Sequence, residues 1–505
     1  MRTKNSFYNF FVSIVSGLII PLFGFVKVRL FIDLYGSDLN GLYLVFMNVI
    51  NFINISEYSF SLAFRQLLYK PLAENDHAQV NRIFSGVRHT YAIIGSIMIV
   101  VGFVVGFVIP NFIDTTLPSF EVFGLFLILS LPFGLSYFIL PPSLLIIADQ
   151  KEYKISFWIQ TIAIIRMVLM IIVILAGLSY FYIFVIEGLN VLIGNLVAYR
   201  IAMKHYPWLK YDKLIKNSVE FNTNAKHTLI QRLSHLAVNN TDSIIISRFI
   251  SLTAVSIYGA YIYLIEAALR IVNSAITSPI NSFGNLFNSD RSKSYDVFKE
   301  YYELSLFFAS VLSICIFVVL DDFVYIWVQQ ESYVLSIFVS VIFAFNVFYL
   351  TQREAIIIIR DANRLFIDAK KNAYLMTITK ITLSLLLVKR YGISGVLMAT
   401  LVTYVCIDLL YNPRLVYNKV FNKNVSAYYR TFVSRLLLSV ALAFIFHLLY
   451  QTQIEYIGTS FTNFIMSLII LGGTVFITVF FIYYSLFPTF RALVKRILSI
   501  FRIKI

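Results

Sequence analysis

Apolar blocks of about 20 residues recur from Phe7 to Leu486, separated by connectors of roughly 5 to 20 residues. This spacing constrains the chain more than any single motif. A helix of about 20 apolar residues crosses the hydrocarbon core of a bilayer, where every backbone donor and acceptor must pair within its own segment. The composition agrees: 59% of the 505 residues are hydrophobic, 13% are charged and the mean hydropathy is +0.80, which no water-soluble surface of this size tolerates. The connectors leave no room for a soluble catalytic domain. Cys315 and Cys406 each lie inside an apolar block and read as small apolar side chains rather than a disulfide framework. The basic residues Arg2 and Lys4 precede an apolar run too long for a signal peptide, so this segment is expected to be retained as the first span.

Helices are expected at 7–34, 41–66, 86–109, 122–148, 155–176, 180–202, 225–249, 254–283, 302–320, 332–356, 370–388, 393–413, 428–450 and 459–486, or about 14 spans. The net charge of +15 could serve nucleic acid or anionic lipid, and the distribution of the 41 Lys and Arg favours lipid. Even-numbered connectors carry Lys70 and Arg82, Lys151 and Lys154, Lys204 to Lys216, Arg291 to Lys299, Arg360 and Arg364, and Lys419 and Lys423. The odd connectors 36–40, 110–121, 321–331 and 451–458 carry none, which by the positive-inside rule puts both termini in the cytoplasm of a multi-pass cell-membrane protein. Lys389, Arg390 and Arg248 run against the pattern without reversing it.

Arg29 to Leu34 ends the first span and is followed by Gly41, Leu42 and Tyr43; Arg248 to Leu252 ends the seventh and is followed by Ser256, Ile257 and Tyr258. These positions are equivalent in two six-span halves. The expected class is therefore an all-α polytopic membrane protein: two six-helix repeats around a central cavity, plus two extra C-terminal helices. The lobes read as 1–203 and 224–413, joined by a cytoplasmic linker at 204–223. The two additional helices occupy 414–486, and a basic amphipathic tail at 487–505, with Arg491, Lys495 and Arg502 on one face, suits either an anionic leaflet or a topology-fixing flank.

A charge at a helix centre costs about 2.5 to 3.5 kcal/mol on insertion scales, so each one needs a partner or a wet cavity. Polar residues share a face in the second span (Asn51, Asn54, Glu57, Tyr58, Ser61, Arg65), the seventh (Gln231, Arg232, His235, Asn239, Asp242) and the eighth (Tyr263, Glu266, Arg270, Asn273, Thr277, Asn281). Such long stripes read as cavity walls before packing seams, and Glu266 with Arg270 has ion-pair spacing. In the first span, Pro21 and Gly24 weaken the helical ladder. Beyond them Lys27 continues the polar face, poised for the cavity or for snorkelling outward, while Arg29 points away and has Asp33 four residues on. Lys380 shares a face with Thr377 and Ser384, too deep to snorkel easily, and Arg166 stands alone, as in a structural ion pair. His235 suits a packed hydrogen bond before a proton-linked role.

No phosphate loop, metal-spaced His or Cys cluster or large outer loop is present, so the chain does not read as an enzyme. Instead it resembles the polysaccharide repeat-unit flippases of the multidrug, oligosaccharidyl-lipid and polysaccharide exporter superfamily. The resemblance rests on Arg2 to Ser6, Leu68 to Glu74, Thr241 to Ser247, Arg360 to Ala362 and Tyr391 to Val396. It implies a two-lobed bundle and a substrate made of a sugar repeat unit on a polyprenyl diphosphate, with Lys27, after Gly24 and Phe25, at the diphosphate. Ser56 to Ser59 departs from the Ala, Glu, x, Gly pattern found at the bend of the second span. The expectation is an alternating-access flippase carrying a lipid-linked oligosaccharide to the outer leaflet for surface polysaccharide export; a cation-coupled multidrug exporter is the alternative. The substrate-binding candidates are Lys27, Asn51, Asn54, Glu57, Arg65, Arg232, Asn239, Asp242, Glu266, Arg270, Asn273 and Lys380. No cofactor is expected, with a coupling ion, H+ or Na+, left open. Anionic lipids and polysaccharide polymerisation machinery are the expected partners, and nucleic acid is not. The last two spans are expected to offer the polyprenyl tail an apolar groove.

Overall fold

The computed structural model describes residues 2–212, 240–277, 291–363, 365, 368–452 and 461–500. Every regular element among them is helical, as the apolar periodicity requires, and ten helices there are long and apolar enough to cross a membrane. One of these runs from Lys370 to Phe421, and its 52 residues hold two spans. The chain divides into two compact units, Met1–Gly259 and Ala260–Ile505.

In the first unit α1 (Arg2–Tyr35) and α2 (Ser37–Ile53) meet at Gly36, whose φ of 88° lies in the region that favours glycine. The second span is two helices, because a turn at Asn54 separates α2 from α3 (Ile55–Ala73). Next comes α4 (His77–Val108), with the Asp76 carboxylate accepting from the Gln79 amide at 2.9 Å. The fourth span also divides, into α5 (Ser119–Ser136) and α6 (Pro141–Ala148), because Pro141 and Pro142 supply no N–H to continue the ladder. Then follow α7 (Tyr153–Leu175), α8 (Phe181–His205), helical residues 240–249 and the first turns of α9 (Leu252–Thr277). Small residues set the spacing. A Cβ on Gly188 would strike the Ile128 carbonyl, and one on Gly41 the Leu252 carbonyl, so α8 and α2 approach their neighbours by backbone. Beyond α8 the chain folds back on the unit. Trp208 stacks on His77 at 3.9 Å, the Tyr206 hydroxyl donates to Asp149 at 2.8 Å, and the Lys210 amide donates to Asn81 Oδ1 at 2.8 Å.

The second unit is built on the 38-residue α10 (Arg291–Val328). Packed with it are α11 (Ile337–Ala362) and α12 (Lys370–Thr403), the latter interrupted at Gly392 (φ 58°, ψ −135°). A π-turn at Tyr404–Asp408 leads into α13 (Leu409–Val416), and α14 (Ser426–Gln451), α15 (Phe461–Leu486) and α16 (Pro488–Ile500) complete the unit. The last two spans are held to α10 by polar as well as apolar contacts. Arg435 on α14 clasps the buried Glu303 on α10, and Ser439, Ser310 and Tyr483 join α14, α10 and α15 through hydroxyl bonds of 2.7 Å. The basic tail helix α16 buries Phe490 and Leu493 within the unit, and Arg496 pairs with Glu300 at 3.0 Å.

Candidate functional site

Four spans of the first unit converge on Lys27. Its side chain is 4% exposed, with Nζ 4.0 Å from the centre of the Tyr43 ring and 5.1 Å from that of Phe31. The lysine therefore turns inward and does not snorkel. Among the described residues no carboxylate lies within ion-pair distance of Nζ, and the aromatic faces supply its close stabilisation, worth about 2 kcal/mol for a desolvated cation. Tyr43 itself is held from two sides. Its hydroxyl donates to Glu187 Oε2 at 2.6 Å, and Phe184 meets its ring edge-on at 5.7 Å. The other oxygen of Glu187, Oε1, pairs with Arg166 on α7. Two cations thus flank the one carboxylate of Glu187, Arg166 in direct contact and Lys27 across the Tyr43 ring.

The helix geometry accounts for this convergence. Lys27 and Phe31 are four residues apart on α1 and share a face, as do Tyr43 and Phe46 on α2, both in contact with Phe184 of α8. Arg29 lies on the other side of α1, more exposed, with Asp33 Oδ2 at 3.5 Å, as its spacing predicts. Arg166 has the structural ion pair expected of it. Its partner Glu187 was not a sequence candidate, since neither residue belongs to a polar stripe. The available signal was a lone acid in the sixth span facing a lone base in the fifth, each unaffordable without the other.

The other candidates are dispersed. Asn51 is exposed, and Asn54 sits at the α2–α3 turn, where its Oδ1 accepts from Tyr137 at 3.3 Å. Arg65 is half-buried, its Nε 3.4 Å from the Ser61 carbonyl. Asp242 is buried and accepts from the Tyr258 hydroxyl at 2.9 Å. Glu266 and Arg270 are both exposed on α9, and the ion pair expected from their spacing is not formed among the described residues. Lys380 is fully buried, donating to the Val396 carbonyl at 3.0 Å and meeting the Thr400 hydroxyl, which ties α12 together across its break at Gly392. Arg232, His235 and Asn239, with the side chains of Glu57 and Asn273, lie outside the described residues.

A second polar centre, not anticipated from the sequence, is internal to the second unit. Asp408 in the π-turn is fully buried and pairs with Arg353. It also accepts from Tyr349 at 2.8 Å, Asn372 at 2.8 Å and Asn412 at 2.6 Å. Its oxygens are satisfied by four partners from three segments, a structural hub rather than an open binding surface.

A lipid II flippase, MurJ, in an inward closed conformation superposes with a TM-score of 0.71 at 15% identity, over 96% of this chain and 99% of that one. The chain has this transporter fold. An inward-facing multidrug resistance MATE family transporter of the MOP superfamily gives 0.59 at 10% identity, over 81% and 98%. A eukaryotic MATE transporter gives 0.53 at 12% identity, over 85% and 98%. No protein-family model and no curated protein sequence matches the chain.

Proposed function

We propose that the protein is a flippase, moving a polyprenyl-diphosphate-linked oligosaccharide repeat unit from the cytoplasmic to the outer leaflet by alternating access, for export of a surface polysaccharide. The observation that carries this reading is Lys27: a buried ammonium resting on Tyr43 and Phe31 with no carboxylate in ion-pair distance among the described residues. A diphosphate supplies the anion such a cation lacks, and charge-assisted bonds to phosphate are roughly twice as strong as neutral ones. The same buried ammonium repels the organic cations a multidrug exporter would carry. Of the remaining candidates, the exposed Glu266 and Arg270 on α9 suit sugar hydroxyls, because charged side chains exposed along a span need a wet surface.

The polyprenyl tail has a different requirement. Taking it into water would forfeit about 0.8 kcal/mol per methylene, so it remains in lipid or in an apolar groove. A cavity of about 220 Å³ in the second unit, lined by Phe317, Val341, Phe345, Phe348, Val440 and Phe444, supports a tail-binding role for α14. The charge distribution supports cytoplasmic termini and contact with anionic lipids. The substrate class suggests the polysaccharide polymerisation machinery as a partner.

The test is leaflet-to-leaflet transfer of a labelled lipid-linked oligosaccharide in proteoliposomes. Wild-type protein should accelerate transfer, and Lys27→Met, which keeps the volume and the apolar stem, should abolish it at equal incorporation. Transfer by Lys27→Met at the wild-type rate, or drug efflux without oligosaccharide transfer, would overturn the reading.

A further inference from the structure

The basic cluster where α7 begins and α8 ends has no part in the reading of Lys27. Lys151 pairs with Asp149 at 2.6 Å, and the Tyr206 hydroxyl donates to the same carboxylate at 2.8 Å. That acid is therefore engaged. Lys154, three residues on, has no carboxylate within ion-pair distance among the described residues; its Nζ lies 3.2 Å from Nδ1 of His205, the last residue of α8. An ammonium hydrogen-bonds to this ring only where Nδ1 offers a lone pair, so His205 is neutral here and does not offset the lysine charge. The imidazole holds the side chain in place and leaves its charge available.

Beyond Lys154 the same face of α7 is apolar and open. At 100 degrees per residue Trp158, Ile165, Leu169 and Ile172 fall within about 60 degrees of Lys154, and all four are exposed, Trp158 by half. The track from Lys154 to Ile172 is about 27 Å long, close to the thickness of a hydrocarbon core. A Trp one turn inside a basic residue is the arrangement of a membrane–water interface. Charge at the rim, a ring at the headgroup boundary and an apolar wall beyond it correspond to the phosphate, glycerol and chain of one phospholipid.

We propose that this face is a binding site for an anionic phospholipid of the cytoplasmic leaflet, with its phosphate on Lys154 and its acyl chain along Trp158 and Ile165. The proposal narrows the general contact with anionic lipids to one position, and it rests on the cytoplasmic placement of this end of the unit. A zwitterionic lipid gains less, because its own ammonium competes with Lys154 for the phosphate. A second copy of the chain is a poorer occupant, since close packing between spans favours small residues and this track is lined by large ones.

Trp158 reports on its own neighbour. In a Trp208→Phe/Trp327→Phe parent, which keeps a ring at both positions, it is the sole tryptophan of the chain. The full-length parent is placed in nanodiscs whose phosphatidylcholine is replaced stepwise by brominated phosphatidylglycerol, with brominated phosphatidylcholine as the parallel series; bromine quenches a tryptophan only at contact range. Phosphatidylglycerol should bind about fivefold more tightly, which is the advantage of about 1 kcal/mol that one basic residue gives at an anionic surface. Lys154→Gln should bring the ratio to about one, and Lys154→Arg should keep it. Lys70→Gln removes the same charge from an 82% exposed side chain near the end of α3 and should leave the ratio unchanged. A ratio near one in the parent would overturn the site, and so would an equal fall in Lys70→Gln, which would mark a diffuse field of charge. Trp158 quenched by neither lipid would also overturn it, by showing the face covered by protein. Both nanodisc leaflets have one composition, so none of these results depends on orientation in the cell. That placement is tested separately, by side-specific labelling of Lys204→Cys in intact vesicles in a Cys315→Ser/Cys406→Ser background.

Discussion

Replacing Arg435 by Met should loosen the last two spans from the second unit, and the structure sets the size of the effect. Arg435 Nη2 lies 2.5 Å from Glu303 Oε1 and Nε lies 3.3 Å from Oε2, while the guanidinium stacks on Phe487 at 3.3 Å. Glu303 is 3% exposed and has no water to turn to when its partner is removed. Breaking a buried pair from one side costs about 3 to 5 kcal/mol. The neighbouring hydroxyl contacts of Ser310 with Ser439 and Tyr483 contribute about 0.6 kcal/mol each by the average for membrane proteins, too little to compensate. At 1.4 kcal/mol per decade, the undocked population should rise about 140- to 3,700-fold. Cys315 lies on the same helix as Glu303 and serves as the reporter, in a Cys406→Ser background, through its rate of maleimide labelling in nanodiscs. The companion Glu303→Gln/Arg435→Met should recover most of the loss, since neither partner is then left charged. Unaltered Cys315 labelling in Arg435→Met, or a double variant as unstable as the single one, would refute the assignment of this cost to a stranded carboxylate.

Gly188→Ala should lower thermal stability by about 1 to 3 kcal/mol, because its Cβ would collide with the Ile128 carbonyl and approach Pro132 Cγ to 3.2 Å, forcing α5 from α8. Gly194→Ala, with nothing within 4 Å of the added methyl, should be neutral in the same melting assay, and equal melting of the two would discount the close approach. Trp208→Ala removes the 3.9 Å stack on His77 that pins the start of the connector. At about 1 kcal/mol for an aromatic pair, tryptic cleavage at Lys210 should accelerate roughly fivefold; an unchanged rate would show that the hydrogen bonds of Tyr206 and Lys210 hold the segment unaided.

Membrane insertion and the helical class were legible in the sequence because they depend on local quantities. Twenty apolar residues suffice to write a span, whatever they later pack against. Arg29 with Asp33 was legible for the same reason, since four residues on a helix place them side by side. The inward turn of Lys27 follows in part from its face on α1, but its seat on Tyr43 does not, since nothing local says which helix lies opposite. Glu187 and Asp408 mark the boundary. Each was visible as an acid in an apolar block, a cost that must be offset, yet Arg166 is 21 residues from the one and Arg353 is 55 from the other. Which base answers which acid is decided by helix packing. Glu266 and Arg270 show the converse: their spacing permits an ion pair, yet both are exposed on α9 and none is formed between them among the described residues. Periodicity determines which residues share a face and what each must cost in lipid; only the tertiary structure decides which face meets which, because contacts between spans depend on side-chain shape and glycine-mediated close approach that no single helix contains.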